Sequence, residues 1–169
     1  KRFYPHQNLT SHIVGHVNDG KIGVYGAEKT FNNDLEVGND IFLSIDLRVQ
    51  HAVREELLKG FIKYGAKSAN AIIADLYSSE ILSLVSLPDF NPNNSINPKK
   101  SSYRNTATLN LYEMGSTFKI FTMAAALELS DVKLTTNFDA RAPLKISKFT
   151  IKDYHPENRI LTAKEIFLK

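Results

Sequence analysis

Apolar positions along the chain fall into one long helical period and several shorter clusters. Val49, Val53, Leu57 and Phe61 return every fourth residue, with Arg48, Arg54, Glu55 and Lys59 on the outside. This spacing predicts an amphipathic surface helix of about four turns, with Asp46 as its N-cap and its close near Gly60 or Gly65. Ile41–Ile45 reads as a strand leading into it. Ala69–Leu76 and Glu80–Leu87 are apolar runs across the polar Tyr77-Ser78-Ser79, which predicts a β-hairpin. A third run, Ile120 to Leu129, is apolar on nearly every side. Phe118, Phe121, Ala125 and Leu129 share one helical face and Ile120, Ala124 and Leu127 another, so the pattern predicts a core helix ending near Ser130-Asp131.

The remaining stretches are turn-rich. Residues 1–40 read as extended, with a short strand over Ile13–Val17 before the turn Asn18-Asp19-Gly20. Pro88 to Tyr103 holds Asn91, Asn93, Asn94 and Asn97 with three prolines and is expected to be loop. Short strands are expected around Leu144–Ile146 and Phe149–Ile151. A final helix should begin at Thr162, with Glu165 completing a capping box. The predicted class is α+β. Residues 1–40 form an extended joining segment, and residues 41–169 form the first portion of a larger domain. The last helix meets the chain end at Lys169, so the reading expects a piece of a longer protein.

Composition narrows the possible functions. The 169 residues carry a net charge of +3, with 43% hydrophobic and 23% charged positions, which is ordinary for a globular protein. Lys99, Lys100 and Arg104 are the densest basic group and lie in the Asn/Pro-rich loop. No basic face or motif points to nucleic acid, and that class is set aside. There is no cysteine, which excludes disulfides and thiolate chemistry. No apolar run reaches the 18 or so residues of a membrane span. His12 and His16 are four apart, but the intervening Ile13-Val14-Gly15 favours strand or turn over helix, and no metal site is expected.

The candidate chemistry lies at the start of the apolar helix. Ser116 and Lys119 are three residues apart and share a helical face. A lysine held neutral there could accept the serine proton as the hydroxyl attacks a carbonyl. Neutrality near pH 7 needs about 4 kcal/mol of differential solvation, since a free lysine titrates near 10.4. Phe118, Ile120 and Met123 are the expected sources of that dry setting, and the serine's own N–H would point at a developing oxyanion. Against this stands a plain reading, an N-cap serine with a lysine that extends to solvent. The sequence carries its own control in Ser130-Asp131-Val132-Lys133, where the lysine falls in polar chain.

The neighbouring residues extend the pattern. Tyr112-Glu113-Met114-Gly115-Ser116-Thr117-Phe118-Lys119 resembles the Ser-x-x-Lys segment of penicillin-binding proteins. Arg2-Phe3-Tyr4-Pro5, His12 and Gly15-His16-Val17 resemble the segment before the transpeptidase domain in class B members. So do Gly26-Ala27-Glu28, Leu43-Ser44-Ile45-Asp46 with Gln50, Ser86–Asn93 and Arg104–Ala107, in the family's order. The short interval from Asn93 to Arg104, and Glu113 ahead of the glycine, resemble the division type. Two positions depart: Ser79 stands where the hairpin turn usually has glycine, and Met114 where the family often has proline.

The resemblance implies a D,D-transpeptidase that cross-links peptidoglycan stem peptides ending in D-Ala-D-Ala. Ser116 would be acylated, Lys119 would act as general base, and β-lactam antibiotics would acylate the same serine. It implies no metal or organic cofactor, an inner-membrane anchor outside these residues, a periplasmic catalytic domain and divisome membrane proteins as partners. The family's Ser-x-Asn and Lys-Thr/Ser-Gly motifs do not occur beyond Lys119. This chain alone is therefore expected to be inactive, and to self-associate through an uncovered sheet edge. Other readings are a penicillin-binding sensor or non-catalytic module of the same fold, and a serine β-lactamase, which the segment before Asp40 disfavours.

Overall fold

The computed structural model describes residues 2–94 and 101–169. It divides into two units, Lys1–Leu111 and Tyr112–Lys169. In the first unit, a 3-10 turn at Gln7–Thr10 runs into helix α1 (Ser11–Val14), strands β1 (His16–Val17) and β2 (Gly23–Tyr25), and short helices α2 (Gly26–Thr30) and α3 (Asn32–Glu36). Helix α4 (Leu47–Lys63), strands β3 (Ala69–Ala74) and β4 (Ile81–Leu87), a 3-10 turn at Ser101–Tyr103 and helix α5 (Thr106–Leu109) complete it. The second unit holds a 3-10 turn at Gly115–Phe118, helix α6 (Lys119–Leu129), strands β5 (Asn137–Asp139), β6 (Leu144–Ile146), β7 (Phe149–Ile151) and β8 (Ile160–Thr162), and helix α7 (Ala163–Leu168). Four antiparallel pairs form, β1 with β2, β3 with β4, β5 with β8 and β6 with β7. The fold is α+β, as expected.

Several local expectations hold for the reasons given. Asp46 caps α4, its Oδ1 accepting from Arg48 N at 2.8 Å and Val49 N at 3.4 Å. The β3–β4 hairpin pairs Ala69 with Leu87 through to Ala74 with Ile81. At its turn Ser79 takes φ 61°, the left-handed conformation that glycine adopts without penalty. The turn is fastened around Asp75, whose Oδ1 accepts from Ser78 N at 2.7 Å and Tyr77 N at 2.9 Å. At α7 the capping box is complete: Thr162 Oγ1 accepts from Glu165 N, and Glu165 Oε2 accepts from Thr162 N.

Four expectations give way. Residues 1–40 are not extended throughout, since Gly26–Thr30 and Asn32–Glu36 form helices α2 and α3. Only His16–Val17 of the 13–17 run is strand. Residues 11–14 turn helical instead, anchored by Ser11 Oγ donating to Asn8 O at 3.1 Å and closed by Gly15 at φ 79°. Ile41–Ile45 joins no ladder, although Ser44 Oγ donates to Ile81 O and Asp46 N to Leu82 O, tying the segment's end to β4. Arg54 is no solvent-face residue. Its side chain is 19% exposed and its Nε donates to Asp89 Oδ2 at 2.7 Å. In the Pro88–Tyr103 stretch, residues 88–94 are loop and Ser101–Tyr103 is a single 3-10 turn. Lys99, Lys100 and Asn97 lie outside the described residues.

Polar side chains hold the first unit together as much as apolar ones. Gln50, 2% exposed, spends its full hydrogen-bonding capacity. Its Nε2 donates to Leu9 O and Leu84 O, both at 2.9 Å, and its Oε1 accepts from Ser83 Oγ at 2.8 Å and Leu84 N at 2.9 Å. A second set links β3, β4 and α5: Thr106 Oγ1 donates to Asn70 Oδ1 at 2.7 Å, and Thr106 N donates to Ser86 Oγ at 3.0 Å. With the Thr106 proton committed to Asn70, the 2.9 Å contact between the hydroxyls is Ser86 donating to Thr106. Asn93 grips the backbone of Tyr4 from both sides, Oδ1 accepting from Tyr4 N at 3.0 Å and Nδ2 donating to Tyr4 O at 2.8 Å.

Candidate active site at the Ser116–Lys119 turn

Ser116 and Lys119 sit where a 3-10 turn passes into an α-helix. Gly115 opens the turn at φ 53°, and Thr117 N donates to Met114 O at 3.1 Å. In 3-10 geometry, residues i and i+3 eclipse, which stacks Ser116 and Lys119 more directly than an α-helix would. Ser116 is exposed and Lys119 half-buried. Among the described residues, neither side chain makes a hydrogen bond or ion pair.

The surroundings of Lys119 differ from those expected. Phe118 is 58% and Ile120 55% exposed, so neither encloses the amine. Lys119 instead lines a cavity of about 340 Å³ with Thr122, Met123, Ala126, Val132, Phe138, Ala163, Ile166 and Phe167. Met123 is the one expected neighbour among them. Thr122 and Ala126 belong to α6 itself, and the others come from the chain after Ser130, which α7 and β5 bring back beside α6; one-dimensional spacing does not reveal that return. The core placement of α6 also gives way: it has no buried residue, and Phe121 and Leu129 are largely exposed. Within this unit α7 and the preceding turn make its main contacts, too little surface to cover a helix apolar on most sides.

The second Ser-x-x-Lys tetrad behaves as the control predicts. Ser130 closes α6, its hydroxyl donating back to Ala126 O and accepting from Val132 N, and Lys133 is exposed. A serine that caps the end of a helix is spent on the backbone, whereas Ser116 is not. His12 and His16 each pack against Phe90. His12 Nε2 meets Ser102 O at 2.9 Å, and no group of three metal-ligating side chains occurs among the described residues. No described helix is long and apolar enough to cross a membrane.

Sequence reasoning assigned no role to Asn8, Asp89 and Asn93, which fasten the first residues of the chain to the loop after β4. Asp89 Oδ1 accepts from Asn8 Nδ2 at 2.9 Å while its other oxygen holds Arg54. Their only signal was the clustering of Asn and Asp between prolines, which is also what an ordinary loop shows.

Residues 69–169 match the family described as the penicillin binding protein transpeptidase domain. The chain belongs to the penicillin-binding protein transpeptidase family. Within it, the likeness is to class B members of the division type. The chain is 35% identical over 172 residues to a Caulobacter vibrioides protein assigned as peptidoglycan D,D-transpeptidase FtsI, covering 99% of this chain and 29% of that one. It is 32% identical over 200 residues to FtsI of Buchnera aphidicola, covering 100% and 34%, and 27% identical over 179 residues to FtsI of Escherichia coli K12, covering 90% and 30%. The chain thus spans about a third of the length of these relatives. In fold it superposes on a crystal structure from Atopobium parvulum described as a peptidoglycan glycosyltransferase, with a TM-score of 0.81 at 23% identity, covering 98% of this chain and 42% of that one.

Proposed function

We propose that this chain is part of a serine D,D-transpeptidase that cross-links peptidoglycan during cell division. Ser116 attacks the carbonyl between the two D-alanines of a stem peptide, its proton passing to Lys119 as general base and on to the leaving amine, and D-alanine leaves. The amine of a second stem then resolves the acyl-enzyme. The observation that carries this reading is the Ser116–Lys119 turn, which lies inside the matched transpeptidase domain and sets an exposed serine three residues before a half-buried lysine. β-Lactam antibiotics are inhibitors that acylate the same hydroxyl. In this reading the catalytic domain works in the periplasm, tethered by an inner-membrane anchor, beside divisome membrane proteins. The reaction needs no metal or organic cofactor.

The 169-residue chain by itself acylates negligibly in this reading. It contains no Lys-x-Gly beyond Lys119, the motif whose strand supplies the second oxyanion donor in the family. One such donor is worth about 10²–10³ in rate.

Labelling with a fluorescent penicillin, read by mass spectrometry, tests both points. The intact protein should label at Ser116, and Ser116→Ala should abolish the label. Lys119→Ala should slow it by about 10²–10⁴, the usual worth of a general base. Labelling of Lys119→Ala at the unaltered rate would end the proposed role of the lysine. Rapid stoichiometric labelling of the 169-residue chain would end the claim of inactivity.

A further inference from the structure

Near the start of the chain an imidazole is closed in by aromatic rings, with one ring nitrogen buried and unpartnered. His16 on β1 is 5% exposed, and its Nδ1 is buried without a hydrogen-bond partner among the described residues. Its ring lies 5.4 Å from that of Tyr25, 5.9 Å from Phe90 and 6.4 Å from Tyr103. Phe90 in turn packs 4.6 Å from Tyr103 and 5.3 Å from His12. Two histidines from residues 12–16 are thereby interleaved with two aromatics from the 88–103 stretch.

We propose that this cluster is an acid-labile clasp: protonation of His16, seconded by His12, detaches residues 11–25 from Phe90 and Tyr103. A neutral ring tolerates an unbonded lone pair among aromatic edges. An imidazolium there buries a charge and a donor with no acceptor, the arrangement a folded protein avoids.

The charged neighbours do not rescue it. On α2, Glu28 is buried but held by Arg2 at 3.0 Å, and Lys29 is exposed and of the wrong sign. In the loop, Asp89 faces His12 but already binds Arg54 and Asn8. Tyr25 and Tyr103 bring aromatic rings and no carboxylate to pair with an imidazolium. Tyr4 accepts from Val17 N at 3.1 Å, and Arg104 is spent on Asn110 and the Leu109 carbonyl. Burial lowers the pKa of both histidines. For His12, the Ser102 carbonyl and Asp89 pull the other way. Because the closed form prefers the neutral ring, the clasp is fully shut above the free-histidine value of about 6.5 and weakens as pH falls below it. A histidine still neutral in the closed form at pH 5 shifts the equilibrium toward opening about 30-fold. The Asn93 grip on Tyr4 is made by an amide and the backbone, with no acid or base in it, so the opening is local.

Hydrogen-exchange mass spectrometry on the full chain at pH 7.5 and 5.0, corrected for intrinsic rates, reads the clasp directly. Residues 11–25 should lose protection by more than tenfold at pH 5.0, while α4 keeps its own. His16→Phe keeps a ring in place and removes the titration, so its loss should shrink to a fewfold, carried by His12. Equal loss in wild type and His16→Phe, or no loss in wild type, overturns the proposal. Should His16→Phe not fold, ¹³C-labelled histidine resonances of the unaltered chain decide. A His16 ring that stays neutral to below pH 5.5 supports the clasp, and one titrating at 6.5 or above refutes it.

Discussion

Replacing Gln50 by leucine isolates the contribution of the polar centre of the first unit. The two side chains are close in volume, so the change opens no large cavity. It removes four hydrogen bonds and strands the Leu9 and Leu84 carbonyls, the Leu84 N–H and the Ser83 hydroxyl, whose residue is 0% exposed. A buried group left without a partner costs about 1–3 kcal/mol. The Leu9 and Leu84 groups are only partly buried and can recruit water, so a total of about 3–6 kcal/mol is expected. With a urea slope near 2 kcal/mol/M, the unfolding midpoint followed by far-UV circular dichroism should fall by about 1.5–3 M. Ser83→Ala supplies the internal check. Alone it should cost about 1 kcal/mol, and in the Gln50→Leu background almost nothing, because its partner is already gone. A loss under 1 kcal/mol for Gln50→Leu, or full additivity with Ser83→Ala, would show that these bonds merely accompany the packing.

Other consequences can be checked more briefly. Ser79→Gly should raise stability by about 0.5–1 kcal/mol in thermal melts, since it relieves a left-handed serine at some cost in chain entropy; a lower melting point would contradict the strain at φ 61°. Thr162→Ala should weaken the start of α7 by about 1 kcal/mol, read as faster amide exchange over residues 163–168. Glu165 is held down to about 2 by the Thr162 N–H, then by Arg159 and the Thr162 hydroxyl. Its contribution is therefore complete above the ordinary glutamate value of 4.5 and lost as pH falls through 4.5 toward 2, and exchange protection of α7 that is flat across that window would refute the box. The 169-residue chain should elute from size exclusion above monomer mass, through its uncovered strand edges and apolar faces; a clean monomer at high concentration would count against this.

How much of this was legible beforehand depended on range. Asp46 with α4, the 69–87 hairpin and the Thr162 box are local codes, in which the residue that decides lies within four positions of the one that responds. The Ser116–Lys119 pair was legible for the same reason, and Ser130 could be set aside because its neighbours are polar. Arg54 was misplaced because a helical wheel knows nothing of Asp89, 35 residues away. The cage around Lys119 was misassigned because Phe138 and Ile166 reach it through the chain's return. The resemblance drew attention to Gln50, yet nothing in the sequence says that a glutamine would be the one buried residue of α4.

The grip of Asn93 on Tyr4 carries a practical corollary. One amide there does the work of a strand, offering an acceptor to the Tyr4 N–H and a donor to its carbonyl. Deamidation would replace that donor with a second carboxylate oxygen aimed at the same carbonyl, turning an attraction into a repulsion. A protein sample ageing in warm alkaline buffer would loosen at its first residues while the Ser116–Lys119 turn stayed chemically intact, so storage history belongs among the variables of any binding measurement made on it.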